Sequence, residues 1–312
     1  MKIENVKLDW NKILEPYVKY LATRFPEDIV RQRLAPVVDS LNSNRMKSMA
    51  ILSDGKPAAY AFFMEPGIFS DRLYASVGFL SPELYLESRL GTIMEWLIRA
   101  TAESGKKLLL NDVFNAPVSH LEFLHSRGFR VMTRISMTAD IDSHDPDEIQ
   151  LPPGFSTDGI TAIDLETISD LEYAAYLGTP DEPFFSSVRE DRIAFTKGVL
   201  IDENYGRVIF RASFVLKSPD GPCGAVLVTS GVPGTGNPEQ CLLANIFLLQ
   251  EFRGRGLSRF MMRRAIHLSA KEGFTSMSLM VNEENHARSL YRKFGFVDDS
   301  HPPEYMILYE RQ

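Results

Sequence analysis

The stretch Gln250–Phe260, QEFRGRGLSRF, decides how the rest of the chain is read. It follows the apolar run CLLANIFLL and opens a segment whose Leu257, Phe260, Met261, Ala265 and Leu268 mark one helical face. A strand that runs through a loop into a helix leaves the first helical N–H groups without partners, and the helix dipole adds positive character there. Gly254 and Gly256 remove side chains that would keep an anion away, and Arg253 and Arg255 add charge. The loop lacks the Gly-Lys-Ser/Thr ending of a Walker loop, and Arg259 stands where a dinucleotide fingerprint needs glycine. A single copy between strand and helix is also unlike a repetitive arginine-glycine nucleic-acid tract. Two readings stay open on these residues alone: a pyrophosphate cradle at a helix start, and a tight turn with solvated arginines.

Composition narrows the setting. The 312 residues carry a formal net charge of -7, which argues against a nucleic-acid partner. Cys223 and Cys241 stand alone without metal-ligand spacing, and the six histidines are scattered, so no metal is expected. Sparse cysteine, a polar MKIENVKLDWNKI start and the lack of a long apolar run predict a cytoplasmic protein with no membrane partner. Oligomeric state is not legible.

The acidic, proline-bearing segment Ala139–Ser156 reads as a break. It predicts domains over 1–141 and 154–312, joined by a linker over 142–153. After the break come a strand over Gly154–Ile163, a helix capped by Asp164, and a further helix over PFFSSVREDRIAFTKGVLI. RVIFRASFVLK and PCGAVLVTSG form a hairpin, followed by the loop VPGTGNPEQ and the central strand CLLANIFLL. The opening stretch and its helix lead to a strand over FTSMSLMV, a short helix over NEENHARSLYRKFG and a last strand, EYMILYE. The first half shows a blurred copy: RLYASVGFL, RLGTIMEWLIRATAESG, KKLLLNDV, APVSHLEFLHSRGF and a final strand RVMTRISMTADI. FLHSRGF aligns with LYRKFGF.

The succession from LLANIFLLQEFRGRGLSRF to MSLMVNEENHARSLYRKFGF resembles the acyl-CoA-binding core of the GNAT superfamily of N-acetyltransferases. The signature Arg/Gln, two residues, Gly, one residue, Gly/Ala falls on Arg253, Gly256 and Ser258, the last a mild departure. Asn285, Ala287, Leu290, Tyr291, Gly295 and Phe296 match the second stretch. The resemblance implies an α/β fold of two tandem GNAT-like domains, each a mostly antiparallel mixed sheet flanked by helices. It also implies acetyl-CoA as donor and a small-molecule or peptide amine as acceptor, joined in a ternary complex. Phe247, Leu248 and Leu249 would then line the cofactor arm. Arg253, Gly254, Arg255, Gly256, Leu257, Ser258 and Arg259 would form the pyrophosphate loop, and Asn285 and Ala287 would meet the arm. Tyr291 would protonate the departing thiolate, and Asn245 would hydrogen-bond substrate or water.

No carboxylate stands on ANIFLL, so the general base stays open. Asp181 and Glu182 are candidates acting through water, although each also reads as a surface loop carboxylate. In the first half, Ser88, Gly91 and Ile93 fall at the signature positions and Leu124 falls where Tyr291 does. That reads as a degenerate copy, on the tandem plan of two-domain acetyltransferases of the mycothiol synthase type. Alternatives are a non-catalytic acyl-CoA-binding protein and an acyltransferase with another donor or acceptor.

Overall fold

The computed structural model describes residues 2–3, 8–23, 26–64, 67–141, 150–231, 237–300 and 302–310. The chain divides into two units, Met1–Thr133 with Glu304–Gln312, and Arg134–Pro303. Each is a mixed sheet covered by helices, as the sequence implies. Among the described residues, no helix is long and apolar enough to cross a membrane.

The first unit begins with β1 (Lys2–Ile3), α1 (Trp10–Ala22) and α2 (Glu27–Asn42), followed by β2 (Ser48–Ser53), β3 (Lys56–Met64) and β4 (Arg72–Phe79). Then come α3 (Glu87–Ser104), β5 (Lys107–Phe114), α4 (His120–Ser126) and the start of β6 (Arg130–Asp140). One face of its sheet packs Leu90, Ile93, Met94 and Leu97 of α3 against Ala59, Ala61, Val77 and Leu110. The other packs Trp10, Ile13 and Leu14 of α1 against Tyr60 and Phe62. The parallel strands β4 and β5 stay paired from Arg72↔Lys107 to Gly78↔Phe114, across one irregularity between Ala75 and Val77. The side chain of Asn115 then donates to the carbonyl of Phe79 at 3.0 Å and clamps that end shut.

The second unit holds the rest of β6, β7 (Ser156–Gly159), α5 (Leu165–Tyr176), α6 (Arg189–Leu200), β8 (Phe214–Ser218) and β9 (Gly221–Thr229). It continues through β10 (Gln240–Leu248), α7 (Leu257–Lys271), β11 (Ser276–Asn282), α8 (Ala287–Lys293) and β12 (Val297–Asp298). Helices α7 and α8 cover one face through Met261, Met262, Ala265 and Tyr291. Helices α5 and α6 cover the other through Ile168, Ala175 and Val199. Here the central parallel pair behaves differently. Strand β10 pairs with β11 only over Gln240–Leu242 and Ser276–Ser278, and beyond that the two diverge. The pairing of β10 with β9 also shifts register between Leu243 and Asn245, a bulge that re-aims the residues after it.

Strand allocation departs from the sequence reading. EYMILYE does form a strand, β13 (Glu304–Tyr309), but it pairs antiparallel with β5 in the first unit. Residues 134–140 of β6 pair antiparallel with β11 in the second. The expected boundaries 1–141 and 154–312 therefore give way to a division in which each unit takes a strand from the far side of the break. Most of the expected linker, 142–149, lies outside the described residues, as do 232–236 of VPGTGNPEQ.

Local differences have simple causes. The helix expected over PFFSSVREDRIAFTKGVLI is confined to Arg189–Leu200, and before it Glu182–Phe184 makes a single 3-10 turn that tolerates Pro183 in its first positions. The strand expected over RVIFRASFVLK is confined to Phe214–Ser218, and the one over Gly154–Ile163 to Ser156–Gly159. Asp164 caps α5 as expected, accepting from the Thr167 N–H at 2.8 Å.

Candidate active site

The loop between β10 and α7 carries the first half of the site. Gly254 and Gly256 sit in the left-handed region at φ +76° and +79°, with nothing within 4 Å of where a Cβ would stand. That geometry turns the chain so that the amides of Gly254, Arg255, Gly256, Leu257, Ser258 and Arg259 find no acceptor among the described residues. The first partnered amide of α7 is that of Phe260, which donates to the Gly256 carbonyl at 3.1 Å. No acidic side chain occupies the first turn of α7.

The arginines do something else. Arg253 donates to the carbonyls of Ala175 at 2.6 Å and Leu248 at 3.2 Å, which ties the end of α5 to the end of β10. Arg255 donates to the Glu251 carbonyl at 3.0 Å and lies over the Phe252 ring. The expectation that these two add charge toward an anion is thus corrected for Arg253, whose guanidinium is spent on protein carbonyls.

Divergence of β10 from β11 leaves the β10 edge after Leu242 without a strand partner on that side among the described residues. Phe247 and Leu248 are buried there, and Leu249, just beyond the strand, donates its N–H to the Cys223 carbonyl at 2.9 Å. Gly224 on β9 lies so close that a Cβ would stand 2.6 Å from the Phe247 carbonyl oxygen.

At the mouth of this wedge the bulge points Asn245 toward α5. Its Oδ1 accepts from the Tyr176 hydroxyl at 2.7 Å, and its Nδ2 donates to Glu172 Oε1. Glu172 is buried, and burial pushes its carboxyl up to about 7 against the pull of Asn245, Thr196 and the Arg192 charge. Arg192 reaches in from α6, donating to the carbonyls of Ser186 and Ser187 and stacking on Tyr173 at 3.9 Å. Tyr176 stacks on Phe185 at 4.4 Å. Burial and then the neighbouring Glu172 drive its phenol well above the usual tyrosine value.

Tyr291, on α8, is buried, and its hydroxyl meets no hydrogen-bond partner among the described residues. Burial, with Asp181 adding to it, raises its phenol as well. Asp181 is no surface carboxylate. It is 7% exposed, accepts from the Asn285 side chain, and has its carboxyl raised by burial despite that bond and the charge of Arg134. Glu182, by contrast, accepts from the Gly178 N–H at 2.8 Å and serves the turn after α5. Asn285 also accepts from the Ala287 N–H at 2.8 Å, so its amide both caps α8 and holds Asp181, and the Ala287 amide is committed. Asn282, buried at the end of β11, donates to the Pro180 carbonyl at 3.3 Å and pins the same loop.

In the second unit Asn245 meets Tyr176 and Glu172 of α5, Arg253 ties the end of α5 to the end of β10, and Asn285 holds Asp181. Sequence reasoning missed Glu172, Tyr176 and Arg134. A signal for the first existed: Glu172 stands four residues after buried Ile168 and three before buried Ala175, on the face that should be apolar. In the first unit α3 already begins at Glu87, so Ser88, Gly91 and Ile93 are helical, and Ile93 and Leu124 are fully buried in its core. A cleft of about 620 Å³ there, lined by Ser53, Asp54, Ser88 and Arg89 among others, includes none of the candidate residues.

Residues 211–298 match the model of a family described as acetyltransferase (GNAT) domain. No curated protein matches the chain. Among solved structures, a GCN5-related N-acetyltransferase from Sphaerobacter thermophilus is 14% identical, with a TM-score of 0.56 over 88% of this chain and 85% of that one. A probable N-acyltransferase from Enterococcus faecalis is 15% identical, with a TM-score of 0.50 over 99% of this chain and 71% of its own. A fungal GCN5-related glucosamine N-acetyltransferase region, within a multi-domain β-N-acetylglucosaminidase, is 15% identical with a TM-score of 0.58, over 99% of this chain and 38% of that one. At these identities the likeness is one of fold.

Proposed function

We propose that this chain, which carries a GNAT acetyltransferase domain over residues 211–298, transfers an acetyl group from acetyl-CoA to the amine of a small molecule or peptide. The observation that carries the reading is the run of unpartnered amides from Gly254 to Arg259, set beside the open edge of β10. A diphosphate needs several aligned donors and no competing carboxylate, and this loop supplies both conditions. The pantetheine arm, which carries amides of its own, fits the unpaired strand edge as an added strand would.

In this reading the amine approaches over the α5 face. Asp181, held by Asn285 and buried beside Tyr291, receives the proton that the acceptor must lose before attack. The amine nitrogen then bonds to the thioester carbonyl carbon, the C–S bond breaks, and Tyr291 donates to the departing sulfur. A raised phenol suits that role, because the proton stays on the hydroxyl at neutral pH until a thiolate appears. Glu172 acts on Asn245, fixing which end of the amide faces Tyr176.

The first unit lacks the corresponding opening, with β4 and β5 paired to their ends and α3 running through the signature positions. We assign it no acyl-CoA site and a cytoplasmic, structural part in a tandem plan.

Titration with acetyl-CoA tests the proposal, with Gly256→Val and Tyr291→Phe as variants. Gly256→Val, which forces a branched side chain into the left-handed region at the amide run, is expected to weaken binding at least 10-fold. Tyr291→Phe should bind normally and lose roughly 10²-fold or more in kcat. Normal turnover by Tyr291→Phe removes the tyrosine from the mechanism, and a chain that does not bind acetyl-CoA removes the reading.

A further inference from the structure

The acceptor side of the site contains a cation that nothing above uses. Arg134 stands on β6, opposite Asn282 in register at the end of β11 where β10 has already departed. Its neighbours Ile135 and Met137 pack toward the α7 and α8 side, so alternation turns Arg134 to the other face, under the loop that follows α5. There its guanidinium lies over the Phe184 ring, 5.0 Å from the centroid. It is half-buried, and among the described residues it forms no hydrogen bond and no ion pair. The arginines nearby in the second unit are spent differently: Arg192 on two carbonyls, Arg253 on two more, Arg288 on Asp298.

Arg134 also lies within the field of Asp181 and of Tyr176. Asp181 does not close on it. The carboxylate is held by Asn285, and its loop is held by the bond from Asn282 to Pro180. A cation and a carboxylate therefore lie within each other's field, each held by a different partner, without forming an ion pair among the described residues. Stacking on Phe184 occupies a face of the guanidinium and leaves its N–H edge as the recognition surface.

We infer that Arg134 is the specificity residue for the acceptor, reading a carboxylate on it, so that the acceptor is a small amino-acid-like zwitterion. Its carboxylate docks on the Arg134 edge and its amine faces Asp181. A planar guanidinium edge matches a carboxylate through two parallel hydrogen bonds. The opposed charges reject two near-analogues: an amine without the carboxylate leaves Arg134 unpaired, and an acid without the amine meets Asp181.

This inference rests on the acetyltransferase reading, and the experiment separates the two. Equilibrium binding to the protein with and without CoA is measured for several amino acids, each beside its carboxamide and its decarboxylated amine. Turnover with acetyl-CoA is measured on the same panel. At least one carboxylated amine is expected to outbind both of its analogues, and Arg134→Gln should weaken it roughly 10- to 100-fold. The variant should keep its affinity for CoA and its kcat at saturating acceptor, and Arg134→Lys should recover part of the loss. Equal binding of acids, amides and amines overturns the inference, as does an Arg134→Gln protein that binds the panel like wild type. If CoA binds and amines turn over without that preference, only the acceptor inference fails. If carboxylated amines bind through Arg134 but CoA does not bind, the acetyltransferase reading fails and the carboxylate site stands.

Discussion

Glu172 shows what one buried carboxyl does to both stability and chemistry. Its ordinary value is 4.5, and burial raises it to about 7 in the folded chain. The folded state therefore holds the proton more tightly than the unfolded state does. The stability this group contributes is fully present below about pH 4.5, falls as pH rises toward 7, and stays at the lower level beyond. The fall is on the order of 3 kcal/mol, the equivalent of a shift from 4.5 to about 7. Glu172→Gln should remove this share, so the difference in stability between pH 5 and pH 8, measured by chemical denaturation, is expected to be smaller for the variant than for wild type. A wild-type difference no larger than the variant's would show that the carboxyl is not buried in solution. Nothing in the motif spacing revealed the residue. ANIFLL lacks a carboxylate, and the one that meets Asn245 comes from a helix some seventy residues earlier.

At the scale of elements, the wedge was the legible part. The family resemblance implied that Phe247, Leu248 and Leu249 line the cofactor arm, and the pairing of β10 with β11 stops at Leu242, ahead of those residues. The role of Arg253 was not legible, because a guanidinium bound to a carbonyl in another element leaves no local pattern. Its bonds to Ala175 and Leu248 couple α5 to the loop, and that coupling is what should be lost on substitution. Arg253→Ala is expected to cost about 1–3 kcal/mol of stability while leaving the salt dependence of acetyl-CoA affinity unchanged. A steep loss of affinity that disappears at high salt would instead place the guanidinium on the diphosphate.

For the molecule as a whole, the order of elements in the second half was readable, whereas α1, α2 and β1 to β3 were not read and the allocation of strands was not legible. Periodicity marks EYMILYE as a strand and says nothing about which neighbour it takes, because several apolar strands offer comparable edges. Ile307 and Leu308 are buried in the first unit, beside Leu109 and Leu110 of β5. A piece spanning 134–303 contains everything the second unit pairs, whereas 154–312 lacks the strand that covers β11. The first should melt cooperatively and bind acetyl-CoA. The second should aggregate or melt without a transition. Equal cooperative melting of the two pieces would show that β6 is dispensable.

The exchange of strands also sets a timetable for synthesis. Between the end of β5 at Phe114 and the start of its partner at Glu304 lie 189 residues. At ribosomal speeds of about 5–20 residues per second, the β5 edge waits roughly 10–40 s for β13. Through that interval the nascent first unit presents the run Leu108, Leu109 and Leu110 along an unpaired edge, and a holdase that shields apolar strands has a target there until β13 emerges.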